Sequence, residues 1–297
     1  MNLPVLNKSN QRLGVCAPSA RFDRSRFDRG IKQLESLGFR LEIPERIFAE
    51  KRYLAGDDLD RARVINRLYA DPDIDAVICA RGGFGAMRIL PYLDWDLIKH
   101  NPKPLIGFSD ITAVLLAVID RTQGRVIHGP TVSSLADADA KTIDSFIEFS
   151  AFTTGPKAVF AGDCLIQGDG RTEYKGEFKG GNISTISHLI GTPFVPNFDQ
   201  AVLFLEDVNE PAYKIDRMLT QMKMAGMFDR IKGVVTGSFE SCANSEYIDE
   251  ILTEVFSDCQ VPVLTGVESG HGPVNLSIPM GLPAVIHASS LKVCFHA

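Results

Sequence analysis

The chain has few of the features that mark membrane, nucleic-acid-binding or secreted proteins. Its 297 residues contain no run of about 18 apolar residues, the length that a membrane-spanning helix needs. The formal net charge of −6 argues against a nucleic-acid partner, because phosphate backbones are bound by clustered lysine and arginine. The N-terminus has no charged leader followed by an apolar core, so no signal peptide is expected. These absences predict a soluble cytoplasmic protein with no membrane or nucleic-acid partner.

Motifs for metals, disulfides and nucleotides are also missing. None of the six cysteines forms a Cys-x-x-Cys pair, and Cys16, Cys79 and Cys294 lie in apolar runs, which predicts reduced, buried thiols. No His-x-x-x-His or Cys/His cluster could bind a metal. No P-loop occurs, and the glycine-rich segment 81–85 lacks the third glycine of the dinucleotide fingerprint and follows the third predicted strand. We therefore expect neither a metal nor a cofactor.

The chain's length favours two domains, and its texture changes near residue 154. In residues 1–154, short apolar strands alternate with amphipathic helices, which predicts a Rossmann-like parallel sheet with helices on both faces. Glycines and short extended pieces become frequent in residues 155–297, which we assign to a smaller C-terminal α/β domain. The predicted fold class is therefore α/β in both domains.

Several small or polar residues follow the predicted strands of the first domain. Ser19, Gly82, Gly83 and Ser109 each come directly after an apolar strand. Ligands of parallel sheets bind outside the carboxyl ends of the strands, so we expect these four residues to lie along one rim. The glycines would let backbone N–H groups approach an anion such as an oxyanion.

The segment 104–112 is the most informative part of the sequence. An apolar strand reaches Gly107, Ser109 follows two residues later, and an apolar helix begins at once. This strand–turn–helix pattern is typical of a serine nucleophile, because the helix N-terminus supplies N–H groups for an oxyanion. Ile111 stands where the second glycine of a Gly-x-Ser-x-Gly elbow would be. The alternative is that Ser109 only caps the helix.

A serine nucleophile needs a base, and the base needs an orienting group. Among six histidines, His271 lies in a loop between two glycines, whereas His188 lies on an apolar helix and is expected in the core. Glu206 and Asp207 end an apolar strand, where a carboxylate is held rigidly, and strand alternation should point them to opposite faces. The alternative for His271 is an exposed loop residue without a catalytic role. The alternative for Glu206 and Asp207 is a structural ion pair or a helix cap.

Six motifs then occur in order along nearly the whole chain. They are Ala-Arg-Gly-Gly-Phe-Gly-Ala at 80–86, Gly-Phe-Ser-Asp-Ile-Thr at 107–112, His-Gly-Pro at 128–130, Gly-Asn-x-Ser at 181–184, Leu-Glu-Asp-x-x-Glu-x-x-Tyr-x-Ile-Asp-Arg at 205–217, and the segment from Gly-His to Pro-x-Gly at 270–281. Each is modest alone, but together they resemble the LD-carboxypeptidases, a family of serine peptidases that also contains the microcin-immunity enzymes.

The resemblance implies a role for each candidate side chain. Ser109 would be the nucleophile, His271 the general base and then acid, and Glu206 the carboxylate that orients His271. The backbone N–H groups of Asp110 and Gly83 would form the oxyanion hole. The active site would lie at the interface of the two domains.

The reaction that the resemblance implies is removal of the terminal D-alanine from a murein tetrapeptide, at its bond to the L-centre of diaminopimelate, in cell-wall recycling. Gly82, Asn182 and Glu210 are expected to bind the substrate. A carboxylate at Glu210 suits the ammonium of diaminopimelate better than an anionic toxin, unless it only caps the following helix. The alternative within the family is a microcin-immunity peptidase that cleaves a peptide–nucleotide toxin; outside it, a non-catalytic binder of small ligands. A homodimer is expected.

Overall fold

A computed structural model describes residues 11–150, 157–287 and 292–295. Contacts divide the chain into two compact units, Met1–Thr153 with Pro273–Pro279, and Thr154–Gly272 with Met280–Ala297. Helices and strands alternate in both units, which confirms the predicted α/β class.

The first unit contains a parallel sheet and the helices that connect its strands. Its elements are β1 (Arg12–Cys16), α1 (Arg24–Ser36), β2 (Arg40–Glu42), α2 (Asp58–Ala70), β3 (Ala76–Cys79), α3 (Trp95–His100), β4 (Leu105–Gly107), α4 (Thr112–Thr122), β5 (Val126–His128), α5 (Val132–Leu135) and α6 (Ala140–Ser150), with 3-10 turns at Glu45–Phe48, Ala86–Tyr92 and Ser109–Ile111.

The parallel strands run in the order β2-β1-β3-β4-β5. The strand order reverses between β1 and β3, and ligands of open α/β sheets bind at such a switch point. Ser19, Gly82 and Ser109 follow β1, β3 and β4, which are neighbours in the sheet and share their direction. These residues therefore lie along one edge, as predicted.

The second unit is a mixed sheet with three helical crossovers. Its elements are β6 (Lys157–Ala161), β7 (Asp163–Gln167), β8 (Glu173–Asn182), α7 (Ile183–Leu189), β9 (Ala201–Val208), α8 (Ala212–Met224), β10 (Gly233–Glu240), α9 (Ile248–Phe256), β11 (Pro262–Thr265), β13 (Leu282–His287) and β14 (Lys292–Phe295), with 3-10 turns at Ser245–Tyr247 and Ser257–Cys259. The strand order is β6-β14-β13-β8-β9-β10-β11-β7, whereas β12 (Ile278–Met280) joins the first sheet beside β5.

Strands β8 to β11 are parallel, and β9 lies between β8 and β10. A parallel strand covered on both faces has no solvent side, so residues 201–207 are all buried. The two carboxylates at the end of β9 are therefore buried as well. No helix within the described ranges is long and apolar enough to cross a bilayer.

The six cysteines are free thiols, but they differ in burial. Cys16 and Cys79 face each other across β1 and β3 and are buried, as predicted. Cys294 is only half-buried, so the prediction was wrong for this residue. On β14 only alternate side chains point into the core, and Val293 and Phe295 occupy those positions.

Gly30 allows a close contact between α1 and α5, and we expect Gly30→Ala to lower the thermal stability. A Cβ atom at Gly30 would lie 1.9 Å from the carbonyl oxygen of Val132, a backbone atom that cannot rotate away. Overpacking of this kind costs about 1–3 kcal/mol. Circular dichroism should show a lower Tm for Gly30→Ala, whereas Lys32→Ala, an exposed position of the same helix, should leave Tm nearly unchanged. Equal Tm values for the two variants would contradict the packing argument.

Candidate active site

Ser109 occupies a strained turn between β4 and α4. Its φ is +66°, a left-handed conformation that costs an L-residue about 1–2 kcal/mol. The N-cap positions of the 3-10 turn and of α4 belong to Phe108 and Ile111, so the helix-cap interpretation of Ser109 is wrong. Strain of this kind is typical of a nucleophile elbow, in which a sharp turn projects the hydroxyl beyond the strand end.

The glycine turn after β3 packs directly against this serine. A Cβ atom at Gly82 would lie 2.9 Å from Ser109 Cβ and 3.2 Å from its Oγ. Gly83 has a φ of +110°, which side chains rarely allow. The two glycines therefore bring a backbone segment up to the serine hydroxyl. The oxyanion-hole roles of the Gly83 and Asp110 N–H groups stay predictions.

In the second unit, Glu206 and His271 form a hydrogen-bonded pair. Glu206 Oε2 lies 2.7 Å from His271 Nδ1; the carboxylate side chain is 0% exposed and the imidazole 17%. Burial acts to lower the pKa of His271, but the hydrogen bond and charge of Glu206 outweigh it and raise this pKa above its ordinary value. Because the carboxylate accepts the Nδ1 proton, the neutral ring carries its lone pair on Nε2.

Ser238, which sequence analysis did not identify, fixes the loop that carries His271. Its Oγ accepts the backbone N–H groups of His271, at 2.9 Å, and of Gly272, at 3.0 Å. The pairing of β10 with β9 shifts register between Thr236 and Phe239, around this serine. The one feature of the sequence that could have indicated Ser238 is the preceding Gly237, because a glycine near a strand end often marks a bulge.

Gly270 lets the same loop approach the carboxylate. Its φ is +116°, and a Cβ atom there would lie 2.7 Å from Glu206 Oε2 and 2.8 Å from Ser238 Oγ. Any side chain at this position would displace the group that binds the imidazole. The glycine that precedes His271 is thus required both by the backbone conformation and by space.

Asp207 points away from Glu206, as strand alternation predicts. Its carboxylate accepts hydrogen bonds from Asn182 Nδ2 at 3.1 Å and from the N–H and hydroxyl of Ser184 at 2.9 and 2.8 Å. Burial raises the pKa of Asp207. Asn182 is itself buried and caps α7 by accepting the Thr185 N–H. Its role in substrate binding stays a prediction.

Two further expectations concern Glu210 and His188. Glu210 Oε2 lies 3.0 Å from Lys214 Nζ, one helical turn further on, and α8 has no side-chain cap, so the cap interpretation of Glu210 is wrong. Its contact with substrate stays a prediction. His188 is exposed on α7 rather than packed in the core, because its buried neighbours Ile186 and Leu189 occupy the inner face.

Each unit, described by itself, thus holds a group of a kind that nucleophilic catalysis uses. The first has a serine hydroxyl in a strained turn beside glycine backbone, and the second has an imidazole oriented by a buried carboxylate. A serine, a base and an orienting acid are the groups that acyl transfer requires. Among the residues described, no group of three or more His, Cys, Asp or Glu side chains could hold a metal ion.

Comparison with known proteins finds similarity over both units. The family model described as the LD-carboxypeptidase N-terminal domain matches residues 13–129, and the C-terminal domain model matches residues 175–286. The probable murein peptide carboxypeptidase of Bacillus subtilis is 31% identical over 99% of this chain and 93% of its own length. The murein tetrapeptide carboxypeptidase of Pseudomonas aeruginosa is 31% identical over 95% of this chain and 94% of its own length. A structure of MccF in complex with glutamyl sulfamoyl guanosine has a TM-score of 0.88 and 25% identity over 97% of this chain and 96% of that one.

We expect the imidazole of His271 to titrate above its ordinary pKa of about 6.5. The Glu206→Gln substitution should lower this pKa, because it removes the charge that favours the protonated ring. Because the folded-state pKa is raised, the pair stabilises the fold most at acid pH. This contribution is lost as the pH rises through the folded-state pKa.

The measurement is a pH titration of the ring C–H signals by NMR, with His271→Asn used to assign them. A His271 pKa that is the same in wild type and Glu206→Gln would contradict the proposed control by Glu206.

Proposed function

The chain belongs to the LD-carboxypeptidase family of serine peptidases, and we propose that it removes the terminal D-alanine of a murein tetrapeptide during cell-wall recycling. The observation that supports this most is the 2.7 Å bond between buried Glu206 and His271 Nδ1, which prepares an imidazole for base catalysis. The cytoplasm, where such peptides would be recycled, and a homodimer are further predictions of the resemblance.

In the proposed mechanism, Ser109 Oγ attacks the carbonyl carbon between diaminopimelate and D-alanine while His271 Nε2 takes the hydroxyl proton. The carbonyl oxygen becomes an oxyanion, which the N–H groups of Gly83 and Asp110 would bind. One such donor is typically worth about 10²–10³ in kcat. His271 then protonates the departing amine of D-alanine, leaving an acyl-serine. Water, deprotonated by His271, hydrolyses this ester and restores the enzyme.

The murein substrate is favoured by the two relatives that are 31% identical and whose names specify murein peptides. A second candidate is hydrolysis of a peptide–nucleotide toxin, because MccF is similar over nearly the whole chain. Both substrates present an amide-type bond to the same nucleophile, so the chemistry of the serine and histidine does not separate them. The two substrates differ in the group next to that bond, which is a diaminopimelate ammonium in the murein peptide and an anionic nucleotide in the toxin.

Ser109→Ala and His271→Ala should each abolish turnover while leaving the fold intact. Purified proteins are incubated with L-Ala-D-Glu-meso-diaminopimelate-D-Ala, and separately with glutamyl sulfamoyl guanosine, and products are followed by mass spectrometry. We expect wild type to release one alanine and both variants to be at least about a thousandfold slower. Ser36→Ala, an exposed serine in α1, is the matched control. Near wild-type kcat in either variant would refute the assignment, and turnover of the sulfamoyl compound alone would favour the second candidate.

Glu210→Ala should raise KM for the diaminopimelate tetrapeptide if this carboxylate binds the distal ammonium group of the substrate. The ion pair with Lys214 already neutralises part of its charge, so a change of about twofold to fivefold is expected, the size of a partly exposed ion pair. A tetrapeptide with norleucine in place of diaminopimelate should show no such change. Equal KM values for wild type and variant with the first peptide would remove Glu210 from the substrate site.

A further inference from the structure

The side chain of Asp110 connects three loops at the edge of the first sheet. Its Oδ2 accepts the hydroxyl of Ser19, at 2.6 Å, and the backbone N–H of Ala86, at 2.8 Å. Ser19 follows β1, Ala86 follows β3, and Asp110 itself follows β4, directly after Ser109. One carboxylate oxygen thus joins the loops on both sides of the switch point to the turn that carries the serine.

Arg61 joins two of the same loops from the side of α2. Its side chain is 2% exposed, and Nη1 donates to the carbonyl oxygens of Pro18 and of Gly85, the latter at 3.0 Å. Asp58 receives hydrogen bonds from both Arg61 and Arg88, so its single charge is shared between two guanidinium groups. The loops after β1 and β3 are therefore held together twice, by an arginine on one side and by Asp110 on the other.

The glycine-rich turn at residues 82–86 would have no fixed backbone conformation by itself. Gly83 and Gly85 both have positive φ, at +110° and +119°, and glycine populates many backbone conformations when nothing restricts it. At one end Gly82 packs on Ser109, and at the other the N–H of Ala86 is held by Asp110. The two anchors select one conformation of the backbone that faces the serine.

We propose that the Asp110 carboxylate is a positioning residue, which holds the 82–86 turn against Ser109 so that the Gly83 N–H is oriented for the oxyanion. The inference rests on the proposed function, in which that N–H binds the developing charge. Asp110 would thereby have two roles: its backbone N–H would bind the oxyanion, and its side chain would orient the Gly83 N–H, the second donor.

Electrostatics supports a role based on hydrogen bonds rather than on negative charge. A carboxylate close to a developing oxyanion raises the energy of the transition state, because like charges repel most strongly where water is excluded. The nearby guanidinium of Arg61 offsets this repulsion. Burial lowers the pKa of Arg61, whereas the hydrogen bond and charge of Asp58, and then the charge of Asp110, act in the opposite direction.

The test compares Asp110→Ala with Asp110→Asn. Alanine removes both hydrogen bonds, and we expect kcat to fall about 10- to 100-fold with KM changed less than about twofold, since a small misplacement of a catalytic group costs that much. The asparagine carbonyl oxygen has two lone pairs and can accept both the Ser19 and the Ala86 hydrogen bond. Asp110→Asn should therefore recover most of the lost kcat. Asp96→Ala, an exposed aspartate at the start of α3, is the matched acid-to-alanine control.

A second measurement does not depend on any substrate. Amide hydrogen exchange of the peptide spanning residues 81–87 should be faster in Asp110→Ala than in wild type, and close to wild type in Asp110→Asn. Ser19→Ala, which removes only one of the two hydrogen bonds, should give a smaller loss of kcat, about threefold to tenfold, and serves if Asp110→Ala does not fold.

The outcomes separate this inference from the proposed function. Equal loss of kcat in the alanine and asparagine variants, or unchanged exchange in Asp110→Ala, would overturn the positioning role. If wild type releases no D-alanine, the proposed substrate is wrong, and the exchange comparison alone then decides whether Asp110 holds the turn.

Discussion

The burial of Glu206 is the constraint on which the second unit's chemistry depends. A carboxylate with no solvent exposure costs several kcal/mol unless a charged or polar partner compensates for the lost water. His271 is that partner, and its approach dictates the neighbouring residues. Gly270 leaves room beside the carboxylate. Ser238 accepts the backbone N–H groups of the next two residues, His271 and Gly272. The position of β9 between two parallel neighbours, within a sheet buried on both faces, makes the carboxylate inaccessible to water.

In the first unit, Ser109 is held in place by the surrounding backbone rather than by a charged partner. A left-handed serine is unfavourable by itself, so the surrounding structure must hold it in place. The eight consecutive buried residues from Thr112 to Ile119 anchor the helix that follows, and Gly82 closes the space on the other side. Rigid elements thus carry the strain, while the glycines allow the backbone after β3 to approach the serine closely.

Much of this arrangement is predictable from sequence because it follows from local rules. The strand–turn–helix pattern around Ser109 and the period of two that separates Glu206 from Asp207 depend only on neighbouring residues. Ser238 could not be found in this way, because its partners, His271 and Gly272, lie more than 30 residues away. His188 was misplaced for a related reason: an apolar neighbourhood in sequence does not reveal which face of a short helix turns inward.

Two adjacent carboxylates on β9 point to opposite faces of the strand, yet both favour the protonated form of His271. Asp207 is held by hydrogen bonds from Asn182 and Ser184, around the start of α7. Its charge nevertheless acts with that of Glu206 to raise the pKa of His271. An imidazole near two buried carboxylates is stabilised when it accepts a proton, as the proposed mechanism requires of His271. The strand therefore orients the imidazole with one residue and adds to its basicity with the next, without a second contact to the ring.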